Sequence, residues 1–234
     1  PHICCGVISI RKISHSVQDD NSHDSEIFYK ELVWREFSYH LLFHFPRLTH
    51  DNLQKKFDSF EWENKQKNIE SWQQGLTGYP IVDAGMRQLW QTGYMHNRVR
   101  MIVGSFLVKN LLTHWRYGQE WFWDTLVDAD IASNSASWQW VAGTGADAAP
   151  YFRIFNPITQ SKKFDPDGDY IKKYIPELKN IPSKYIHLPC ELDEKSLSEC
   201  GVKLGSDYPK PIVDLSVTRQ RALDAFLKLS KSTS

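Results

Sequence analysis

The chain has 234 residues, enough to bury a core as one large domain or two small ones. Lys plus Arg equals Asp plus Glu at 28 each, which excludes a whole-surface basic field for nucleic acid and leaves only a local patch for such binding. No apolar run nears the ~18 residues of a membrane span, no secretory signal is visible, and four cysteines without C-x-x-C spacing fit a reduced, intracellular, cytoplasmic protein.

The opening "PHICCGVIS" has no methionine and runs straight into structured-looking sequence, as expected of a fragment lacking an N-terminal part. Residues 11–25 are polar and read as a loop. A helix is expected over residues 26–45, capped by Ser25 and stopped by Pro46. Val33, Phe37 and Leu41 form an i, i+4, i+8 stripe suited to a core. Another face carries Glu31, Trp34, Arg35 and Ser38, an unusual set for a merely solvated surface. A short helix follows at 64–74, then a turn in "GLTGYP". Helices are expected at 81–91, 96–115, 117–132 and 134–143, the last ended by Gly143, with a closing helix at 219–229. Strands are few. The expected fold is one all-α domain over residues 1–234, without linker or repeat.

Several motif-like stretches have plainer readings. "GTGADA" fits G-x-G-x-x-A, but a helix-like segment precedes it where a dinucleotide site needs a strand. His40 and His44 have the i, i+4 spacing of zinc-protease ligands, but the glutamate base is missing, and no metal site is expected. "DPDGDY" starts like a calcium loop, yet its glycine falls at the fourth place instead of the sixth, so it reads as a turn.

Three polar clusters remain, all within aromatic sequence: Glu31/Trp34/Arg35, Asn97/Arg98/Arg100 and Asp128/Asp130/Asn134. Amides and guanidiniums in the first turns of a helix bind phosphates or ring carbonyls with the free backbone N–H groups. Nine Trp, ten Tyr and twelve Phe supply either a core of large rings or surfaces for stacking and electron transfer. Together these clusters suggest one cavity for a polar, planar ligand.

The stretches "ELVWREF" (31–37), "TGYPIVDAGMRQLWQTGYMHNRVRM" (77–101), "FLVKNLLTHWRYG" (106–118), "DADIASNSASWQW" (128–140) and "GTGADAAPYFRIFNP" (143–157) resemble the flavin-binding catalytic domain of the photolyase/cryptochrome family. The likeness runs nearly end to end and looks nearest to bacterial class I enzymes that repair cyclobutane pyrimidine dimers. His96-Asn97 stands where (6-4) photolyases carry paired histidines.

The resemblance implies FAD folded into a U in an all-α domain, active in its reduced anionic form. It places Phe28, Glu31, Arg35, Asn97, Arg100, Asp128, Ala129, Asp130 and Asn134 at the cofactor. Arg100 pairs with Asp128, and Asn134 faces flavin N5, where an amide suits either redox state and a carboxylate would repel an anionic flavin. Trp138, Trp115 and Trp62 match the family's electron-relay tryptophans. Glu31, Trp34, Arg35, Tyr94, Asn97, Arg98, Met101 and Gln160 fall at the substrate, with Arg153, Lys162 and Lys163 at a DNA rim. Glu31 is implied to hydrogen-bond the flipped dimer as a donor when protonated. Tyr94 and Phe28 depart from the family by replacing frequent tryptophans. The resemblance further implies damaged DNA as partner, a monomer with no membrane, and a phosphate-binding box, antenna domain and antenna chromophore outside this chain. A cryptochrome-like photoreceptor and an inactive remnant are the alternatives.

Overall fold

The computed structural model describes residues 1–18, 20, 22–151 and 153–232, with side chains described to residue 229. Asp19 and Asn21, within the expected loop, and Phe152, within the 143–157 motif, lie outside the described residues.

Two helices open the fold: α1, Ile10–Gln18, and α2, His23–His44. Both depart from the expected loop over 11–25. Ser22 is the N-cap of α2, and its hydroxyl accepts the Ser25 N–H at 3.2 Å. The predicted core stripe also moves. Leu32, Ser38 and Leu41 are buried, whereas Val33 is 51% exposed. Apolar and aromatic residues occur all around α2, so its sequence does not single out one inward face.

Next come α3, Gln66–Gln73, and α4, Pro80–Thr92. Pro80 fits the first turn of α4, where its missing N–H costs nothing, and Gly93 ends the helix at φ 66°. Buried Asp83 ties this region together. Its carboxylate accepts Thr77 N–H and hydroxyl, Gly78 N–H and the Tyr208 hydroxyl.

The core runs through α5, Asn97–Ser105. It crosses α4 closely, because a Cβ at Gly85 would lie 2.5 Å from Val99 Cγ1. One continuous helix was expected over 96–115. Instead α5 loosens into a π-helical turn, Phe106–Asn110, and the chain breaks at Leu112 with φ 46°. Nothing in the sequence marks this break, since no Gly or Pro lies there. Burial of Leu112 against Phe57 and Phe60 compensates for its unfavourable backbone.

α6, Trp115–Thr125, starts from a His114 cap, and α7, Ile131–Ala142, ends at Gly143 in the left-handed region. The helix expected over 117–132 is thus interrupted at 126–130. α8, Pro157–Phe164, packs on α4, its Ile158 against the main core. α9, Asp169–Tyr174, and α10, Glu194–Glu199, with Ala84 of α4, build a satellite core around Ile171, Ile175, Leu178 and Ile186. α11, Leu215–Ser232, closes over the π turn, longer than the expected 219–229. Among the described residues one isolated β-bridge, Leu204 to Tyr208, is the only strand-like pairing, as the all-α reading requires. No described helix is long and apolar enough to cross a membrane.

Lys109, in the π turn, is wholly buried. Its ammonium donates to the Tyr151 carbonyl at 2.8 Å and lies 4.0 Å from that residue's ring centroid. Burial pushes its pKa down to about 7. The unfolded lysine keeps its proton to the ordinary 10.5, so between these values the unfolded state binds more protons than the folded one. Stability is therefore expected to rise as pH climbs from about 7 towards 10. Lys109→Met should flatten that slope in urea midpoints measured against pH; an equally steep slope in the variant would contradict the assignment.

Candidate functional site

One face of α2, the length of α5 and the inner face of α7 enclose a cavity of about 380 Å³. That size lies within the ~300–1,000 Å³ of ordinary ligand sites. α2 presents Glu31, Trp34, Ser38 and Leu41 to it, a spacing of i, i+3, i+7 and i+10 that keeps them on one side of a helix. α5 contributes Asn97, Arg100 and Met101. The 126–130 loop and α7 bring Asp128, Asp130, Asn134 and Trp138. The three polar clusters of the sequence therefore converge.

Arg100 Nη2 grips both oxygens of Asp128, at 3.0 and 3.2 Å, while its Nε donates to the Met95 carbonyl at 2.6 Å. The pair is only partly buried, so its value lies more in fixing the loop than in net stability. Asp130 is the N-cap of α7: its Oδ1 accepts the Ser133 N–H at 2.8 Å. Its other oxygen accepts the Tyr39 hydroxyl. This bond, with lesser contributions from burial and the carboxylate's charge, raises the phenol's pKa to about 12. Tyr39 was not anticipated. Its signal would have been a phenol two turns beyond Glu31, which the sequence alone does not connect to a residue 91 positions away.

Asn134 Nδ2 donates to the Gln119 carbonyl at 2.9 Å. Its second N–H and its carbonyl oxygen have no partner among the described residues, so the amide can either donate to or accept from a cavity ligand. Trp138 stands beside it, seated on Gly118, where a Cβ would come within 2.1 Å of the indole.

Other expected site residues stand apart from the cavity wall. Arg35 bonds Glu36 at 2.6 Å and lies over the Tyr39 ring, so it reaches the cavity only through Tyr39 and Asp130. Phe28 and Tyr94 are exposed, and Tyr94 lies 5.9 Å from the Arg100 guanidinium. Arg98 turns to α8, over the Phe164 ring. Ala129 accepts the Cys4 thiol through its carbonyl, and Gln160 is half-buried on α8. Arg153, Lys162 and Lys163 are exposed.

Of the three expected relay indoles, only Trp138 lines this cavity. Trp115 is fully buried and Trp62 half-buried, and the His114 ring contacts both, at centroid distances of 5.4 and 5.3 Å. The ring contacts of Trp138 are with Trp72 and Phe122. The His40 and His44 rings lie tilted at a centroid distance of 4.3 Å, and no group of three metal-ligating side chains occurs among the described residues.

The family described as "FAD binding domain of DNA photolyase" matches residues 28–228. The chain belongs to this family. It is 56% identical, over its whole length and 50% of the relative's, to a deoxyribodipyrimidine photo-lyase of Agrobacterium fabrum strain C58. A crystal structure of a bacterial class III photolyase from Agrobacterium tumefaciens superposes with a TM-score of 0.95 at 55% identity, covering 99% of this chain and 49% of that one. A Synechocystis cryptochrome superposes at 0.90 with 38% identity, covering 96% and 47%. The chain spans about half the length of the curated relatives it matches. The expected nearness to class I enzymes finds no support here, since the solved relative at 55% identity is named class III.

In this photolyase-family fold, Gly118 is not a wall residue but seats Trp138, a role that motif reading passes over. On helix propensity alone, Gly118→Ala would stabilise α6 by about 1 kcal/mol. The clash with Trp138 reverses the sign, to a loss of about 1–3 kcal/mol by overpacking. Urea denaturation measures it; a stabilised variant would contradict the placement of Trp138.

Proposed function

We propose that the chain carries the flavin site and dimer pocket of a light-driven DNA lyase that reverses cyclobutane pyrimidine dimers. The observation that carries this reading is the convergence of Glu31, Trp34, Asn97, Arg100, Asp128 and Asn134 on one cavity. The donor set suits FAD: an acid–guanidinium pair for the polar edge of the ring system, and an amide that, among the described residues, keeps one N–H and its carbonyl oxygen for a ligand. Reduced anionic FAD, when bound, supplies a single electron under blue light.

The protein's own groups do the rest. Asp128 stays oriented by Arg100, and Asp130 by Tyr39 and the α7 N-terminus. Phe28 and Arg35 support the site from outside the cavity wall, Ala129 through the backbone. Trp34 offers a half-exposed indole face against which a flipped dimer can stack, and Met101 a polarizable wall. Damage has already weakened the stacking that flipping must break, so extrusion costs less than for an intact base pair. Glu31 hydrogen-bonds the dimer carbonyls. Tyr94, Asn97, Arg98 and Gln160 border the opening, and Arg153, Lys162 and Lys163 meet the phosphates. That local basic rim reconciles DNA binding with zero net charge and makes it salt-sensitive. Trp62, Trp115 and Trp138 carry electrons inward from the surface. The protein acts as a monomer in the cytoplasm, with any antenna chromophore held elsewhere.

A photoreceptor role shares this fold, as the likeness to a cryptochrome indicates. The amide at 134 and the Glu31/Trp34/Asn97 pocket favour repair.

Glu31→Ala is expected to cut the yield of dimer repair under blue light by ten-fold or more, about 1.4 kcal/mol or above in barrier terms, with flavin absorbance retained. Unchanged repair would remove Glu31 from the pocket. Trp115→Phe is expected to abolish photoreduction of oxidised flavin and to spare repair by pre-reduced protein; undiminished photoreduction would end the relay assignment.

A further inference from the structure

The indole N–H of Trp115, wholly buried, donates to Asn52 Oδ1 at 2.8 Å. Asn52 is also buried, and its Nδ2 donates to Asp58 Oδ1 at 2.9 Å. An indole can only donate and an ionised carboxylate can only accept, so the amide's orientation is fixed from both sides. Asp58 is half-exposed, with Lys55 Nζ 3.7 Å from its other oxygen. Asn52, Asp58 and Lys55 share a polar cavity of about 280 Å³ with Trp62, His114, His50 and Asp51.

Loss of an electron makes an indole N–H strongly acidic. What the N–H faces then decides whether the radical keeps its proton. A carboxylate would take it. An amide oxygen accepts the hydrogen bond but is almost no base. In this fold a base, Asp58, stands one amide away from Trp115.

We propose that Asn52 is a positioning residue of the relay, holding the Trp115 N–H on an acceptor that cannot take its proton. The inference rests on the relay reading given above. An oxidised Trp115 then remains a protonated radical cation. One electron from Trp62 restores the neutral, closed-shell indole with no proton moved. Trp62 takes over the positive charge beside the polar cavity, where water can receive its N–H proton. A proton lost at Trp115 would instead leave a neutral radical, whose re-reduction needs a proton to return with the electron. His114, whose ring contacts both indoles, is suited to the same end. Burial and the Arg116 charge hold its pKa near 4, so near neutral pH it places no positive charge beside the migrating one.

The test is transient absorption after a blue flash, with free riboflavin added as the one-electron photo-oxidant, so that it works whether or not the chain retains FAD. The Trp115 signal is the difference between the unaltered chain and Trp115→Phe. The expected result is a radical-cation spectrum whose decay is unaffected by D2O. In Asn52→Asp the same difference should show the neutral radical, with a several-fold slower decay that slows further in D2O. Asn52→Gln, which keeps an amide, should move back towards the unaltered behaviour. A neutral Trp115 radical in the unaltered chain would overturn the proposal by itself, even if Asn52→Asp failed to fold. An unchanged cation in folded Asn52→Asp would overturn it equally. Absence of any Trp115-dependent signal would instead overturn the relay reading, and the inference with it.

Discussion

The five residues between α6 and α7 are the constraint on which the site depends. Leu126 leaves the helix extended, and Val127 N–H bonds the Gly93 carbonyl at 2.9 Å, pinning the segment to the end of α4. Arg100 then takes Asp128, and Asp130 closes the segment as the cap of α7. Each anchor is a modest interaction. Together they let one short segment present two acids to a cavity and start the helix that carries Asn134 and Trp138. Had α6 run on through 130, as the sequence pattern suggests, Asp128 and Asp130 would lie about 200° apart around the helix and could not share a wall.

The aromatic load serves two purposes that composition does not separate. Phe226 of α11 stacks on Phe57 and Tyr151 as ordinary core. Trp72, Trp115 and Trp138 are equally buried, but each is held in a specific pose. The Trp72 N–H meets the Val103 carbonyl, the Trp115 N–H meets Asn52, and Trp138 rests on Gly118. Buried indoles with satisfied N–H groups and fixed planes are rigid, and fixed ring-to-ring geometry is what electron transfer requires. Stability and the proposed chemistry therefore draw on the same packing.

The sequence disclosed what local chemistry alone decides. Pro80 and Gly143 mark helix ends because φ is restricted or positive there. The polar clusters stood out because acids, amides and guanidiniums in aromatic sequence need a reason. The Arg100–Asp128 pair was legible through family resemblance. What stayed hidden is tertiary. Leu112 adopts a positive φ that only its burial rationalises. Val33 faces solvent although its spacing fits a core stripe. Tyr39 reaches Asp130 across 91 residues of chain, and Gly118 matters only because Trp138 lies over it. Arg35 and Arg98 joined the expected clusters by helical position, yet each side chain found a nearer aromatic ring.

In the proposed function the cavity between α2, α5 and α7 holds the flavin ring. Titrating the chain with FAD, and following flavin fluorescence as Trp138 and its neighbours quench it, tests this most directly. Saturable one-to-one quenching is expected, and it should weaken when Asn134→Leu fills the cavity wall with an apolar side chain. Quenching that never saturates, or that is indifferent to Asn134, would contradict it.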